Sequence, residues 1–263
     1  MKGIWTLFFG LLLLSPCWAQ KPITAVYLDA EAAAGAHFIG KNIFNSSYFV
    51  KDHVLVEKRG NAQREYQNLS LGPLDFVDLV NPMQLSLFYK RFNTVVLLDK
   101  ELAPIKTIRL ADANPQLIPA YVGMSSQNRL WLWDDATNQL GQLSLQTLVF
   151  QSLTTAFLEP VIYRSSDVNY FYWISKDNKL FYSDIYGKVK QPYTLPPFDR
   201  IQIINKDKIL YINDNQLYYL DLPSGISSRI DLREKSISAF FFNTQILSIF
   251  TDLEIKNYLI TLP

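Results

Sequence analysis

The chain has one cysteine in 263 residues, Cys17, and only two histidines, His37 and His53. A single thiol closes no internal disulfide, and a thiolate metal site needs several. Two histidines without HxH or HExxH spacing make no histidine zinc site. Several catalytic and phosphate-binding signatures are missing as well. There is no G-x-S-x-G elbow, no G-x-x-x-x-G-K-[ST] or G-x-G-x-x-G loop, and no D-x-D-x-D run for calcium. Neither sign of charge prevails, with 25 Lys and Arg against 24 Asp and Glu. Such a chain has no electrostatic footprint for nucleic acid or anionic lipid. No cofactor, no metal and no nucleic-acid partner is expected. Beyond the first twenty residues no apolar run reaches the ~20 residues that a spanning helix needs, so no transmembrane segment is expected there.

What is present begins with a targeting pattern. Lys2 supplies a positive start, residues 4–14 an apolar stretch too short for a membrane span, and Ala19 a small residue for cleavage. Residues 1–19 are expected to leave as a signal peptide, with Gln20 as the mature N-terminus. Pro16 directly before Cys17 does not fit a lipobox, so lipidation is not expected. Cleavage removes Lys2 and Cys17, leaving a formally neutral, cysteine-free chain of residues 20–263. That suits a bacterial periplasmic or extracellular protein better than a disulfide-stapled secreted domain. Two N-x-[ST] sequons, at Asn45 and Asn68, matter only in a glycosylating host.

The mature chain is organised around an 18-residue frame. It is clearest at 215–232, NQLYYLDLPSGISSRIDL, and recurs at 93–110, 128–145 and 178–195. Each copy opens with Asn, carries Asp at its seventh position (Asp99, Asp134, Asp184, Asp221) and ends in Leu. A degenerate copy at 52–69 has Lys58 in place of the Asp. Each copy reads as strand, tight turn, strand. The Asp has a backbone reason: its carboxylate accepts N–H groups a few residues on and fixes the turn. Gly225, Gly187 and Asn138 stand where a turn wants a positive φ. The frames start 41, 35, 50 and 37 residues apart. Short strands repeating about every 40 residues are the pattern of propeller blades. Apolar residues at consecutive positions, as in Leu130-Trp131-Leu132-Trp133 and Phe171-Tyr172-Trp173-Ile174, predict strands covered on both faces.

The frame N-x-L-aromatic-x-x-D-x-x-[ST]-[GN] followed by a β run resembles the repeat of quinoprotein-like and WD40-like β-propellers. The resemblance covers four units well and two loosely. It implies an all-β propeller, with six blades as the first reading and seven as the alternative. The orphan strand at 23–29 is expected to complete the last unit, which has only three strands of its own, and so to close the ring. Quinoprotein repeats commonly carry a Trp in the strand after the turn. Residues 140–145, 189–195 and 226–232 carry none, so no quinone site is implied. The Trp-Asp pair of WD40 repeats occurs once, at Trp133-Asp134, without the usual Gly-His. Such repeats specify architecture and are nearly silent on activity.

Two readings of function follow. The first is a non-catalytic scaffold or recognition module that binds a protein or an envelope component. The alternative is a carbohydrate-active or other small-substrate enzyme that gathers acids in the central funnel. Asp75, Asp78, Glu159 and Asp167 fall near the expected innermost strands and are the funnel candidates. The segments 70–83 and 146–167 stretch the repeat and are the candidate partner-binding loops. The many aromatics of the later units (Tyr170, Phe171, Tyr172, Trp173, Tyr182, Tyr218, Tyr219) are expected to fill blade interfaces rather than to bind sugar.

Overall fold

A computed structural model of the chain describes residues 22–32, 37–42, 44, 46–190, 192–234, 236–251 and 254–263. The expected signal peptide and Cys17 lie outside these residues, as does Asn45. The described residues form six sheets, antiparallel but for one added parallel strand, arranged as a six-bladed β-propeller. Blade 1 is His37–Lys41, Ser47–Lys51, Val54–Arg59 and Ala62–Tyr66. Blade 2 is Phe76–Asp78, Gln84–Tyr89, Thr94–Asp99 and Pro104–Arg109. Blade 3 is Pro119–Ser125, Arg129–Asp134, Gln139–Ser144 and Phe150–Ser152. Blade 4 is Val161–Ser166, Tyr170–Ser175, Lys179–Asp184 and Tyr193–Thr194. Blade 5 is Arg200–Asn205, Lys208–Asn213, Gln216–Asp221 and Ile226–Asp231. Blade 6 takes Ala239–Asn243, Ile246–Phe250 and Glu254–Leu259 from the end of the chain and its outermost strand, Val26–Ala32, from the beginning.

The N-terminal segment therefore closes the ring, with one refinement. The expected single strand at 23–29 divides at Ala25. Ile23–Thr24 pairs parallel with Ile230 and Asp231 at the outer edge of blade 5, and Val26–Ala32 pairs antiparallel with blade 6. One short segment so clasps two blades. The expected linker at 31–36 is strand at Glu31 and Ala32.

The 18-residue frame is a hairpin whose two ends are bonded to each other. The closing Leu donates its N–H to the opening Asn carbonyl in three copies: Leu110 to Asn93 at 2.9 Å, Leu145 to Asn128 at 3.0 Å and Leu195 to Asn178 at 2.8 Å. The opening Asn residues Asn93, Asn128, Asn178 and Asn215 have φ between 47° and 59°, a left-handed conformation that Asn tolerates better than most side chains. The copies are not all equivalent. Those at 93, 178 and 215 cover the third and fourth strands of their blades, whereas the copy at 128 covers the second and third strands of blade 3. Its one-strand displacement explains the uneven 35 and 50 spacings. Counted from Asn138, which opens the third strand of blade 3, they become 45 and 40.

The segment 146–167 is consequently no insertion. It holds the fourth strand of blade 3 and the first strand of blade 4. The segment 70–83 likewise holds the first strand of blade 2, after the one-turn helix Leu69–Leu71.

Alternation within strands sorts the core. In Arg129–Asp134, Leu130 and Leu132 pack toward blade 2, while Trp131 and Trp133 pack toward blade 4. In Tyr170–Ser175, Phe171 and Trp173 face blade 3 and Tyr172 and Ile174 face blade 5. Each strand is apolar on both faces because each blade is sandwiched. The seams are unequal. Blades 3 and 4 meet through Tyr121, Trp131, Trp133, Leu140, Phe171 and Trp173, whereas blades 6 and 1 meet through Phe49, Val56 and Ile255. The seam where the chain closes on itself has the smallest core.

Candidate functional site: the axial funnel

The first strand of every blade lines the axis, and together they enclose a cavity of about 570 Å³. Local irregularities aim residues into it. The pairing of the first and second strands slips at Ile39 in blade 1 and at Ile204 in blade 5, both of which line the cavity, and such bulges turn side chains toward a rim. At Gly40, a Cβ would stand 2.8 Å from the Phe241 ring and 3.0 Å from Leu79. Only glycine lets these walls approach so closely. The lining is mostly apolar, drawn from Ile39, Phe76, Leu79, Ile203 and the run Phe240-Phe241-Phe242.

The four acids expected in the funnel separate into two pairs. Asp78 ends the first strand of blade 2, Asp167 follows the first strand of blade 4, and both line the cavity. Asp75 and Glu159 precede those same strands and therefore lie toward the opposite mouth. Neither lines the cavity. Asp75 accepts the Lys90 N–H at 2.7 Å and shares a smaller pocket of about 260 Å³ with His37. Glu159 pairs with Lys179 at 3.7 Å. His53 sits exposed in the Asp52-His53 turn, where both residues have positive φ.

The two cavity acids are already engaged. Asp78, 3% exposed, accepts the N–H of Val80 at 2.9 Å and the N–H of Met124, which ties blade 2 to blade 3. Burial pushes its carboxyl up to about 6, against the pull of those two N–H bonds. Asp167 accepts the N–H groups of Asn169 at 2.7 Å and Tyr170 at 2.8 Å, and the Tyr172 hydroxyl at 2.7 Å. That carboxylate and burial together hold the Tyr172 phenol protonated.

Four more polar residues of the lining, Gln202, Asn243, Lys41 and Arg164, act as staples between blades. The Gln202 amide donates to the Phe242 carbonyl and accepts the Phe242 N–H, both at 2.7 Å, joining blades 5 and 6. Asn243 donates to the Lys41 carbonyl at 2.6 Å across the closing seam, and the Lys41 ammonium reaches Glu31 of the clasp at 3.5 Å. Arg164 lies 5.1 Å over the Trp133 ring and 3.2 Å from Asp135, and burial lowers its pKa. Sequence reasoning passed over Gln202, Lys41 and Arg164, because no repeat position marks them.

The repeated Asp residues occupy turns. Asp99 accepts from Glu101 and Ala103, Asp184 from Tyr186 and Lys188, and Asp221 from both N–H and hydroxyl of Ser224. Asp134 is buried and accepts four bonds, from Ile118, Ala136 and both donors of Thr137. The Ile118 bond crosses to the approach of the first strand. Asp99→Ala is expected to lose about 1 kcal/mol of stability, and Asp134→Ala about 2 kcal/mol because buried donors are orphaned. Urea titrations of the two variants check the ranking.

Among the described residues no cluster of three or more His, Cys, Asp or Glu is placed to hold a metal. No helix among them is long and apolar enough to cross a membrane.

Comparison with known protein families found no match, and comparison with curated proteins found none. Solved structures do match. A streptogramin B lyase aligns with a TM-score of 0.56 at 11% identity, covering 90% of this chain and 97% of that one. The β-propeller domain of Cps50 (Swd1) from Myceliophteria thermophila aligns at 0.56 and 6% identity, covering 90% and 100%. YCF48 bound to a D1 peptide aligns at 0.52 and 9% identity, covering 82% and 76%. The likeness is one of fold. Propellers that act on a small molecule and propellers that bind a peptide share this architecture.

Proposed function

We propose that the protein is an exported, non-catalytic recognition module, working in the periplasm or outside the cell and binding another protein or an envelope component through one face of the ring. The observation that carries this reading is the commitment of the funnel's two acids and of Gln202. Asp78, Asp167 and Gln202 are bonded to backbone or to Tyr172, and Ile39, Phe76, Leu79, Ile203 and the run Phe240-Phe241-Phe242 make the larger share of the wall apolar. That is the lining of a binding cavity, with a few polar groups that fix shape. A general acid–base pair would instead present two carboxylates to a substrate. The peptide-bound neighbour YCF48 supports the same reading at the level of fold. Export rests on the residues 1–19. Cleavage after Ala19 would leave the clasp intact, because its first strand starts at Ile23.

A second reading, an enzyme acting on a small substrate, draws on one fact. The Asp78 carboxyl, raised to about 6 inside the cavity, has the kind of perturbed acidity that general acids show. One experiment separates the two. Residues 20–263, immobilised, are exposed to an envelope extract of the source organism, and any retained protein is purified and titrated back calorimetrically. In parallel, a glycan and ester panel is incubated with wild type and Asp78→Asn. Saturable one-to-one binding supports recognition. Turnover that Asp78→Asn abolishes overturns it.

A further inference from the structure

A second surface, away from the funnel, has the chemistry for a specific partner. A cleft of about 310 Å³ opens on the side of blade 4 that faces blade 5. Tyr170 and Tyr182 form its floor, their rings 5.7 Å apart. Three ammonium groups surround it. Lys188 and Lys190 come from the outer segment of blade 4, and Lys206 reaches across from the first turn of blade 5. Lys206 is paired with Asp207 at 3.0 Å. Lys188 and Lys190 are exposed and have no ion-pair partner among the described residues. Asp184 also lines the cleft, but its Oδ1 is turned into its own turn by Tyr186 and Lys188.

The backbone beside these lysines is an open sheet edge. The regular fourth strand of blade 4 is only two residues, Tyr193–Thr194. Ahead of it the chain pairs at a single bridge, Ser183 with Val189, flanked by Lys190 N–H to Tyr182 at 2.9 Å and Asp184 N–H to Lys188 at 3.3 Å. In antiparallel pairing of this kind the bridged residue itself points its N–H and C=O outward. Val189 thus presents both backbone groups to solvent, and Lys188 and Lys190 project to one face on either side of it.

We propose that this edge and cleft take an extended acidic peptide of a partner protein. The peptide adds as a strand against Val189 and sets two carboxylates, two residues apart, opposite Lys188 and Lys190. Lys206 completes the positive wall from blade 5. The spacing favours this occupant. Residues two apart in an extended chain repeat at roughly 6.6 Å, so the two lysines match a two-residue acid spacing better than one compact anion. The absence of arginine from the cleft also suits separate carboxylates, each taking a point charge, rather than a forked clamp on one group. Main-chain bonds supply affinity and the lysines supply selection, as in strand-addition recognition generally. The inference rests on the recognition reading and names its partner chemistry.

The test is selection of a displayed random dodecapeptide library on residues 20–263, followed by fluorescence anisotropy with the selected peptides. Expected are peptides with Asp or Glu at alternate positions. Their affinity should fall tenfold or more in Lys188→Gln/Lys190→Gln, be largely kept in Lys188→Arg/Lys190→Arg, and be lost when the peptide's central amide is N-methylated. Thermal unfolding of the variants confirms that the ring is intact. Selected peptides whose binding ignores the lysines would overturn this cleft and leave recognition elsewhere standing. No selectable peptide would overturn both. A sulfated oligosaccharide that binds through the lysines while no acidic peptide does would reassign the cleft to an anionic glycan and overturn the proposal.

Discussion

Trp133→Ala is expected to lower the stability of the ring by about 3–5 kcal/mol, the range for removing a fully buried indole. Trp133 is 1% exposed and lies at the centre of the largest aromatic seam. Its ring stacks on Phe171 at 5.8 Å and 17°, lies 5.6 Å from Trp173, and carries the Arg164 guanidinium 5.1 Å above it. Truncation therefore opens a cavity between blades 3 and 4 and leaves a half-buried cation without its aromatic face. A denaturant titration reads the effect as a lower midpoint at unchanged slope. The more informative readout is hydrogen exchange, which reports whether the loss is global or local. In a closed ring the weak seam is between blades 6 and 1, where among the described residues only Phe49, Val56 and Ile255 form the buried cluster. If the ring unfolds as one unit, amides of the clasp, 23–32, should lose protection together with those around Trp133. Loss of protection confined to blades 3 and 4 would show that blades melt separately, and a stability change under about 1 kcal/mol would show that the seam collapses around the gap.

The sequence carried the architecture because a blade repeats the same physical problem. Each hairpin needs a left-handed residue before its first strand and a carboxylate in its turn, and these appear as Asn and Asp at fixed offsets in 93–110, 178–195 and 215–232. The double-sided apolar runs mark stacked sheets in the sequence itself. Other parts were less legible. The frame at 128 sits one strand out of phase, and its hairpin chemistry is indistinguishable from that of a third-and-fourth-strand pair. The first strand of blade 1, His37–Lys41, contains Gly40, and that glycine is explained by the Phe241 ring of blade 6 and Leu79 of blade 2 pressing on it, which no local pattern shows. The candidate site was legible by half. Asp78 and Asp167 do reach the cavity, but Asp75 and Glu159 do not, since the two ends of one short strand open on opposite mouths of the funnel. The lysine cleft depends on a blade 4 strand that stops short and on a turn from blade 5. Neither has a signature in the repeat.

The pH dependence of stability should carry the mark of Asp78. Its carboxyl is pushed up to about 6 in the fold, against roughly 3.9 for an unfolded Asp. Below pH ~4 both states hold the proton and the group contributes no difference. Between about 4 and 6 the folded state keeps a proton that the unfolded state has released, so stability falls as pH rises through this window. Above 6 the cost levels off at about 3 kcal/mol, taking 1.36 kcal/mol per unit. Asp78→Asn cannot titrate. It keeps one acceptor for Val80 or Met124 and loses the other, an offset that does not change with pH. The stability of wild type minus that of Asp78→Asn, measured by urea titration at pH 4, 5, 6 and 7, should therefore drop by about 2 kcal/mol across the series, the part of the full change that lies inside this window. A flat difference would mean that the carboxylate stays ionised and solvated through the cavity, and the burial argument would fail. The sign matters beyond stability. Protonated Asp78 has a hydroxyl to donate beside Tyr121, which shares the cavity wall, whereas ionised Asp78 only accepts. The same titration thus switches one part of the funnel wall from acceptor to donor. A ligand seated there should bind with an affinity that changes between pH 5 and 7 in wild type and stays constant in Asp78→Asn.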